Sequence, residues 1–464
     1  MEKLDIAIVG NGIIGTLSAI ELKRKFPNKS IGLIGNRDYL FSASLAAGAM
    51  IAVIAEYEYA EGNFKITQDR FLEIGIMARE DWATFLKSTK AKSIVTAEDT
   101  LVYLKKNSSN FEYKNYQAVK SVASELGSFS ELSTKELDEL FPATKLEIEK
   151  VAKIENEMSI DTYKLFEHLS NQLSELQVSV IHDDVTQIDS KKQIIYGVNN
   201  QYIFKKLLLS AGSNSCKLLD QGTSIMRMFQ GIGSAILFNS DMNFQPPIRR
   251  NVVRSVNRGG AQCGIHVVPR TDNGLYLGAG NYVIGDVKFQ HRIETIRYLF
   301  ETFENEIVGK KIAYGLTGKF LIGSRPRSLD GSPMIGPLSM NENIYVATGT
   351  NRLGLTWAPT IAKQVARWIT NERNNVDIFA NWLPDRIPLS FGTDLECIEY
   401  FIESRLGNSI EHNLLENSKS ALEQKKEEFR LVGQEIMNKV KNKYGLHVDL
   451  NYHPDNWSAL LNQI

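Results

Sequence analysis

A strand, a glycine-rich turn and a helix in direct succession over residues 4–25, two later apolar strands that also halt at glycine, and a switch to charged helical periodicity beyond Pro388 predict an α/β protein. The expected architecture is a Rossmann-type dinucleotide-binding domain interleaved with an α+β substrate domain and followed by a C-terminal helical appendage. The first domain is expected to take residues 1–85, 155–220 and 318–392, the second residues 86–154 and 221–317, and the appendage residues 393–464.

Leu4, Ile6, Ala7, Ile8 and Val9 form a short apolar run closed by a glycine cluster, the pattern of a buried strand. From Ile13, apolar Ile14, Leu17, Ile20 and Leu22 recur at helical spacing until Pro27 and Asn28. Ile31, Leu33 and Ile34 then make a second strand and complete a βαβ unit. Leu207, Leu208 and Leu209 run into Ala211-Gly212, and residues 344–348 run into Gly349, so the chain is expected to return twice to this sheet. Extended patterns at 264–268 and 274–278 fall in the second domain. In the appendage Leu422, Phe429, Val432, Ile436, Val440 and Tyr444 recur at helical spacing among Lys, Glu and Asn. Such a stripe needs a surface to bury against, on its own chain, in a homo-oligomer or on a partner protein.

The 464 residues suffice for about three ordinary domains. Lysine plus arginine, 53, nearly balances aspartate plus glutamate, 54, so no charge excess points to nucleic acid or an anionic membrane. An apolar fraction of 43% is that of a globular chain and not of a disordered one. The longest apolar stretch, residues 45–55, falls short of the roughly 20 residues that a membrane span needs. No basic region or cleavage site precedes the first strand, so no secretory signal is expected. Cys216, Cys263 and Cys397 are widely spaced and offer no C-x-x-C metal pair. A cytoplasmic setting, without bound metal, is the expectation.

Gly10-Asn11-Gly12-Ile13-Ile14-Gly15 is G-x-G-x-x-G between a strand and a helix, the context that a dinucleotide fingerprint requires. Gly10 permits the tight turn, Gly12 lets backbone approach a pyrophosphate, and Gly15 lets helix pack on strand, while the first turn at Ile13 and Ile14 stabilises phosphate charge. An acid at the end of the second strand usually holds the adenosine ribose. Here the strand ends Ile34-Gly35-Asn36-Arg37-Asp38. Either Asn36 and the backbone beside Gly35 replace the carboxylate, or Asn36 merely turns the chain. The run Ser42-Ala43-Ser44-Leu45-Ala46-Ala47-Gly48-Ala49-Met50 either brings backbone against a flat ring or phosphates, or forms a tightly packed buried helix, which composition alone favours.

Three further segments are Val267-Val268-Pro269-Arg270, Gly323-Ser324-Arg325-Pro326-Arg327-Ser328-Leu329-Asp330-Gly331-Ser332-Pro333, and Gly349-Thr350-Asn351-Arg352-Leu353-Gly354-Leu355-Thr356-Trp357-Ala358-Pro359. With the amino-terminal motif and the small-residue run, and in the same order, they resemble the flavin-dependent D-amino acid oxidase superfamily, its glycine oxidase branch most closely, over roughly residues 4–390. The resemblance implies a non-covalent FAD, because the cysteine through which sarcosine oxidases attach flavin has no counterpart between Cys263 and Cys397. It further implies that Arg325 clamps a substrate carboxylate, where a planar fork suits bidentate binding. Arg352 would be a second arginine near the flavin, with Gly354, Leu355 and Thr356 along the ring edge and Thr350, Asn351 and Leu353 also binding the cofactor. Ser42, Ala43, Ala47, Gly48 and Ala49 would lie against FAD, Val185 would meet the adenine, and Ala211 and Gly212 would lie under the pyrophosphate. His266 stands where glycine oxidases carry a tyrosine that holds substrate, and a histidine there can donate a hydrogen bond, titrate near neutral pH or simply complete a strand.

The implied reaction is oxidation of the C–N bond of an amino acid or related amine by hydride transfer to flavin N5, with dioxygen or another acceptor taking the electrons. Two other readings stay open. The same arginine would serve a 2-hydroxy acid dehydrogenase, and the tail suits a non-catalytic flavin-binding partner protein.

Overall fold

The amino-terminal apolar run forms β1 (Glu2–Val9), the glycine turn leads into α1 (Ile13–Lys25), and β2 (Ile31–Gly35) follows. The computed structural model describes residues 1–36, 42–106, 108–133, 135–136, 139, 148–220, 225–239, 250–258, 264–285, 290–308, 317–370, 377–389, 393–411, 419–444 and 461. Cys263, Arg37 and Asp38 lie outside them, as do residues 412–418 and most of the chain beyond 444.

The first sheet runs β17 (Met334–Leu338), β18 (Asn341–Thr348), β11 (Gln201–Leu209), β1, β2 and β8 (Ser179–His182), with β10 (Ile194–Gly197) paired to β11 and β9 (Val185–Asp189) to β10. Strand β1 pairs in parallel with both β2 and β11, and β11 in parallel with β18. The two expected returns thus lie beside the opening βαβ unit. Residues of β1 are apolar in near succession because both faces are covered. Ile6 and Ile8 pack with α1, α4 (Thr162–Glu175) and α6 (Gly354–Thr370), and Ala7 and Val9 pack under β9 and β10.

The second sheet runs β16 (Gly318–Ser328), β12 (Met228–Phe238), β15 (Leu275–Ile284), β14 (His266–Pro269), β13 (Asn251–Ser255), β4 (Asp99–Lys105), β6 (Ile148–Ile154) and β5 (Phe129–Glu131). Only the β13–β4 pair is parallel among these described strands. Alternation along β4 sends Leu101 and Tyr103 to the face packed by α5 (Ile293–Thr302), and Val102 and Leu104 to the face packed by α3 (Asn110–Glu125). Helix α3 starts at a capping box in which Ser109 and Glu112 satisfy each other's amides. A short pair, β3 (Val95–Ala97) and β7 (Ser159–Ile160), lies apart from both sheets.

Strand β16 hydrogen-bonds along β12 in the second sheet, and isolated bridges Ser42 to Ser324 and Arg327 to Thr350 tie it to the loops beside the first. Residues 42–49 form turns and not the helix that composition favours, and carbonyls in the run are taken by distant segments: Ile160 N donates to Ala49 O at 3.0 Å and Tyr276 OH to Ala46 O at 2.9 Å.

The tail forms α7 (Asp394–Glu411) and α8 (Lys419–Tyr444). Ion pairs Asp394–Lys441 and Glu399–Arg430 make them antiparallel. Cys397, Ile398, Phe401, Ile402, Leu406, Met437 and Val440 bury together with Met226, Met228, Phe229, Leu329 and Met334. The stripe therefore packs on its own chain, although Val432 is 40% exposed. No helix among the described residues is long and apolar enough to cross a membrane.

Candidate active site

A cavity of about 610 Å³ lies at the carboxyl ends of the parallel strands, where the two sheets meet. All the sequence-derived site residues line it except Gly15. A Cβ on Gly15 would stand 1.9 Å from Gly10 O, so the close packing of helix on strand requires glycine there. Gly10 has φ +109°, and a Cβ there would come within 2.4 Å of Ser210 O. Gly12 starts α1 without a side-chain cap, and in the first turn Ile13 N donates to Ser44 Oγ at 3.1 Å. A helix start that faces a cavity favours an anion such as a phosphate.

At the end of β2, Asn11 Nδ2 donates to Asn36 O at 2.8 Å, and Asn36 Nδ2 donates to Asp184 Oδ1 at 2.9 Å. Val185, Ala211 and Gly212 line this end. At the other end, the turn at 42–50 is held against α6 by Thr356 Oγ1, which donates to Met50 O at 3.3 Å. Pro359 lies inside α6 and cannot donate to Leu355 O. Trp82, buried in α2 (Gly62–Ser88), replaces that donor: its indole Nε1 reaches Leu355 O at 3.2 Å and Thr356 O at 3.0 Å. Asn351 adopts φ +47° and donates its N–H to Pro326 O at 2.8 Å, which joins the loops that carry Arg352 and Arg325.

His266 is buried and stacks on Tyr276, ring centroids 5.7 Å apart. Its Nδ1 lies 3.1 Å from the Gly264 carbonyl, which only accepts, so the ring proton sits on Nδ1. Nε2 then carries a lone pair and lies beside Gly48, where a Cβ would be 3.1 Å away. Burial, and then the Arg254 charge, hold the imidazole pKa down to about 3. The ring therefore stays neutral at pH 7, which removes the expectation that it titrates there. Tyr276 OH donates to Ala46 O at 2.9 Å and pins the small-residue turn.

Arg325 lies over Gly233, where a Cβ would stand 2.6 Å from its guanidinium. Arg352 is drawn to two acids: its Nη2 donates to Glu58 Oε1 at 2.8 Å, and Nη1 lies 3.4 Å from Glu56 Oε2. Glu56 also pairs with fully buried Arg254. Burial alone would raise the Glu56 carboxyl, but Arg254 and Arg352 outweigh it and bring it to about 2.

Glu56, Glu58, Tyr276 and Asp184 are site residues that the sequence reading did not single out. For the two glutamates the signal was available as acids directly after the apolar stretch 45–55, a position where burial demands a partner.

A family model described as FAD dependent oxidoreductase matches residues 5–368. No curated protein matches the chain. Among solved structures the fold is similar to glycine oxidase from Geobacillus kaustophilus, at 16% identity and TM-score 0.69 over 83% of this chain and 100% of that one. It is also similar to iminodiacetate oxidase from a Chelativorans species, at 15% identity and TM-score 0.66 over 82% and 100%. A third is FAD-bound L-alpha-glycerophosphate oxidase from Mycoplasma pneumoniae, at 19% identity and TM-score 0.65 over 84% and 100%. At these identities the likeness is one of fold.

Proposed function

Because the chain belongs to the FAD-dependent oxidoreductase family, whose signature spans residues 5–368, we propose that it oxidises the C–N bond of an amino acid or related amine. The cavity fits FAD: the first turn of α1 and the Cβ-free surface at Gly10 and Gly12 suit a pyrophosphate, and the small-residue turn opposite the start of α6 leaves a slot for a flat ring. When bound, FAD supplies the hydride acceptor and passes the electrons to dioxygen or another acceptor.

The observation that carries the reading is Arg325, a half-buried guanidinium lining the same cavity as His266. Arg325 grips the substrate carboxylate and fixes the adjacent Cα–H, a contribution of orientation. His266 Nε2 accepts an N–H of the neutral amine and so directs its nitrogen; with a pKa near 3 it positions without taking the proton. Arg352, engaged by Glu56 and Glu58, shapes the pocket wall.

Anaerobic mixing of the flavoprotein with amino acids, N-methyl amino acids and 2-hydroxy acids tests this. Bleaching of the flavin absorbance by an amine, with peroxide formed on admitting air, is the expected result for an oxidase. Bleaching by hydroxy acids alone would replace the reading with a hydroxy acid dehydrogenase, and no bleaching by any of them would favour a non-catalytic role.

A further inference from the structure

The sequence lacks the acid that ordinarily closes β2 in a dinucleotide-binding fold, and the structure places another carboxylate at the same spot. Strands β2 and β8 run in parallel with Gly35 opposite His182. Each strand continues past that pair, to Asn36 on one side and to Asp183-Asp184 on the other, and the tips touch: Asn36 Nδ2 donates to Asp184 Oδ1 at 2.9 Å. We propose that Asp184, carried on the link between β8 and β9, is the carboxylate that receives the adenosine ribose hydroxyls of FAD, with Asn36 positioning it.

Asp184 lines the cavity and is exposed, and its second oxygen has no hydrogen-bond partner among the described residues. A carboxylate is acceptor-only, which matches a sugar diol offering two O–H donors. Its placement is rigid. Val198 N donates to Asp184 O at 2.9 Å. Adjacent Asp183 accepts from Asn199 N at 3.0 Å, Asn200 N at 3.1 Å and Tyr202 OH at 2.8 Å, which clamps the link onto the β10–β11 hairpin. The inference concerns the cofactor alone and holds whatever amine is oxidised.

The test titrates the full-length apoprotein, by flavin fluorescence, with FAD and with an FAD analogue lacking both the 2′- and 3′-hydroxyls of the adenosine ribose. The wild type should bind FAD roughly 10- to 100-fold more tightly, the worth of a hydrogen bond to a charged group. Asp184→Asn should weaken FAD by a similar factor and erase the discrimination while leaving the analogue's affinity nearly unchanged. The exchange Asn36→Asp with Asp184→Asn reverses donor and acceptor across the same contact, and should restore most of the preference. Equal weakening of both flavins in Asp184→Asn would assign the residue to structure and overturn the proposal. So would retained discrimination in that variant, or its loss in Asp38→Asn instead.

Discussion

Replacing His266 by glutamine should make the protein less sensitive to acid. The ring is 5% exposed, and Arg254 and Arg325 add their charges to its burial, so the pKa falls from 6.5 to about 3 on folding. Between those values the unfolded chain binds a proton that the folded protein does not. The stabilisation from a neutral His266 is thus fully present above pH 6.5 and is lost as the pH falls toward 3, at about 1.4 kcal/mol per pH unit. Between pH 7 and pH 5 only the last 1.5 pH units or so count, giving about 2 kcal/mol. Glutamine keeps an N–H for the Gly264 carbonyl and does not titrate. In urea unfolding of the FAD-loaded proteins, the wild type should therefore lose about 2 kcal/mol more than the variant over that interval. Parallel losses would refute the reasoning, because they would mean that His266 is charged in the folded protein or does not change environment on unfolding.

Arg325→Ala should lower kcat/KM toward a carboxylate substrate by the equivalent of roughly 2–5 kcal/mol while flavin content holds, and Arg325→Lys should also be poor because an ammonium cannot form the fork; near-normal efficiency in both would make Arg325 structural. The denatured protein should release free FAD, so flavin that remains on the polypeptide would contradict non-covalent binding. Truncation after residue 392 would uncover Met228, Phe229, Leu329 and Met334, and each large side chain left unburied costs about 1.5–3 kcal/mol. Little soluble protein is expected, and a monodisperse truncated form with an unchanged Tm would show that the tail adds nothing to the core.

The βαβ unit and both returns to its sheet are readable in the sequence because each is a short-range pattern, an apolar run that stops at glycine. The turn at 42–50 is not, because its conformation depends on Met158, Ile160 and Thr356, far along the chain, and small residues suit a helix equally well. Arg352 shows the same limit. Its segment is legible as a motif, but its engagement by Glu56 and Glu58 is a tertiary fact. The pairing of β16 with β12 is likewise not legible, because strand pattern records that a segment is extended and says nothing of which sheet receives it.

The order of strands in the first sheet has a consequence for synthesis on the ribosome. Strand β1 is made first, but one of its two neighbours, β11, follows roughly 190 residues later, a delay of roughly 10–40 s at ordinary elongation rates. The β18 edge and α6, which close the cavity, come later still. The nascent chain meanwhile carries an apolar strand with an unpaired edge, the kind of surface that chaperones cover and that aggregates when they do not. Ribosome-arrested chains should show it directly. Residues 1–36 should remain protease-sensitive in chains halted at residue 200 and become protected only once residue 370 is exposed, and early protection would mean that the opening βαβ unit folds without its late partners.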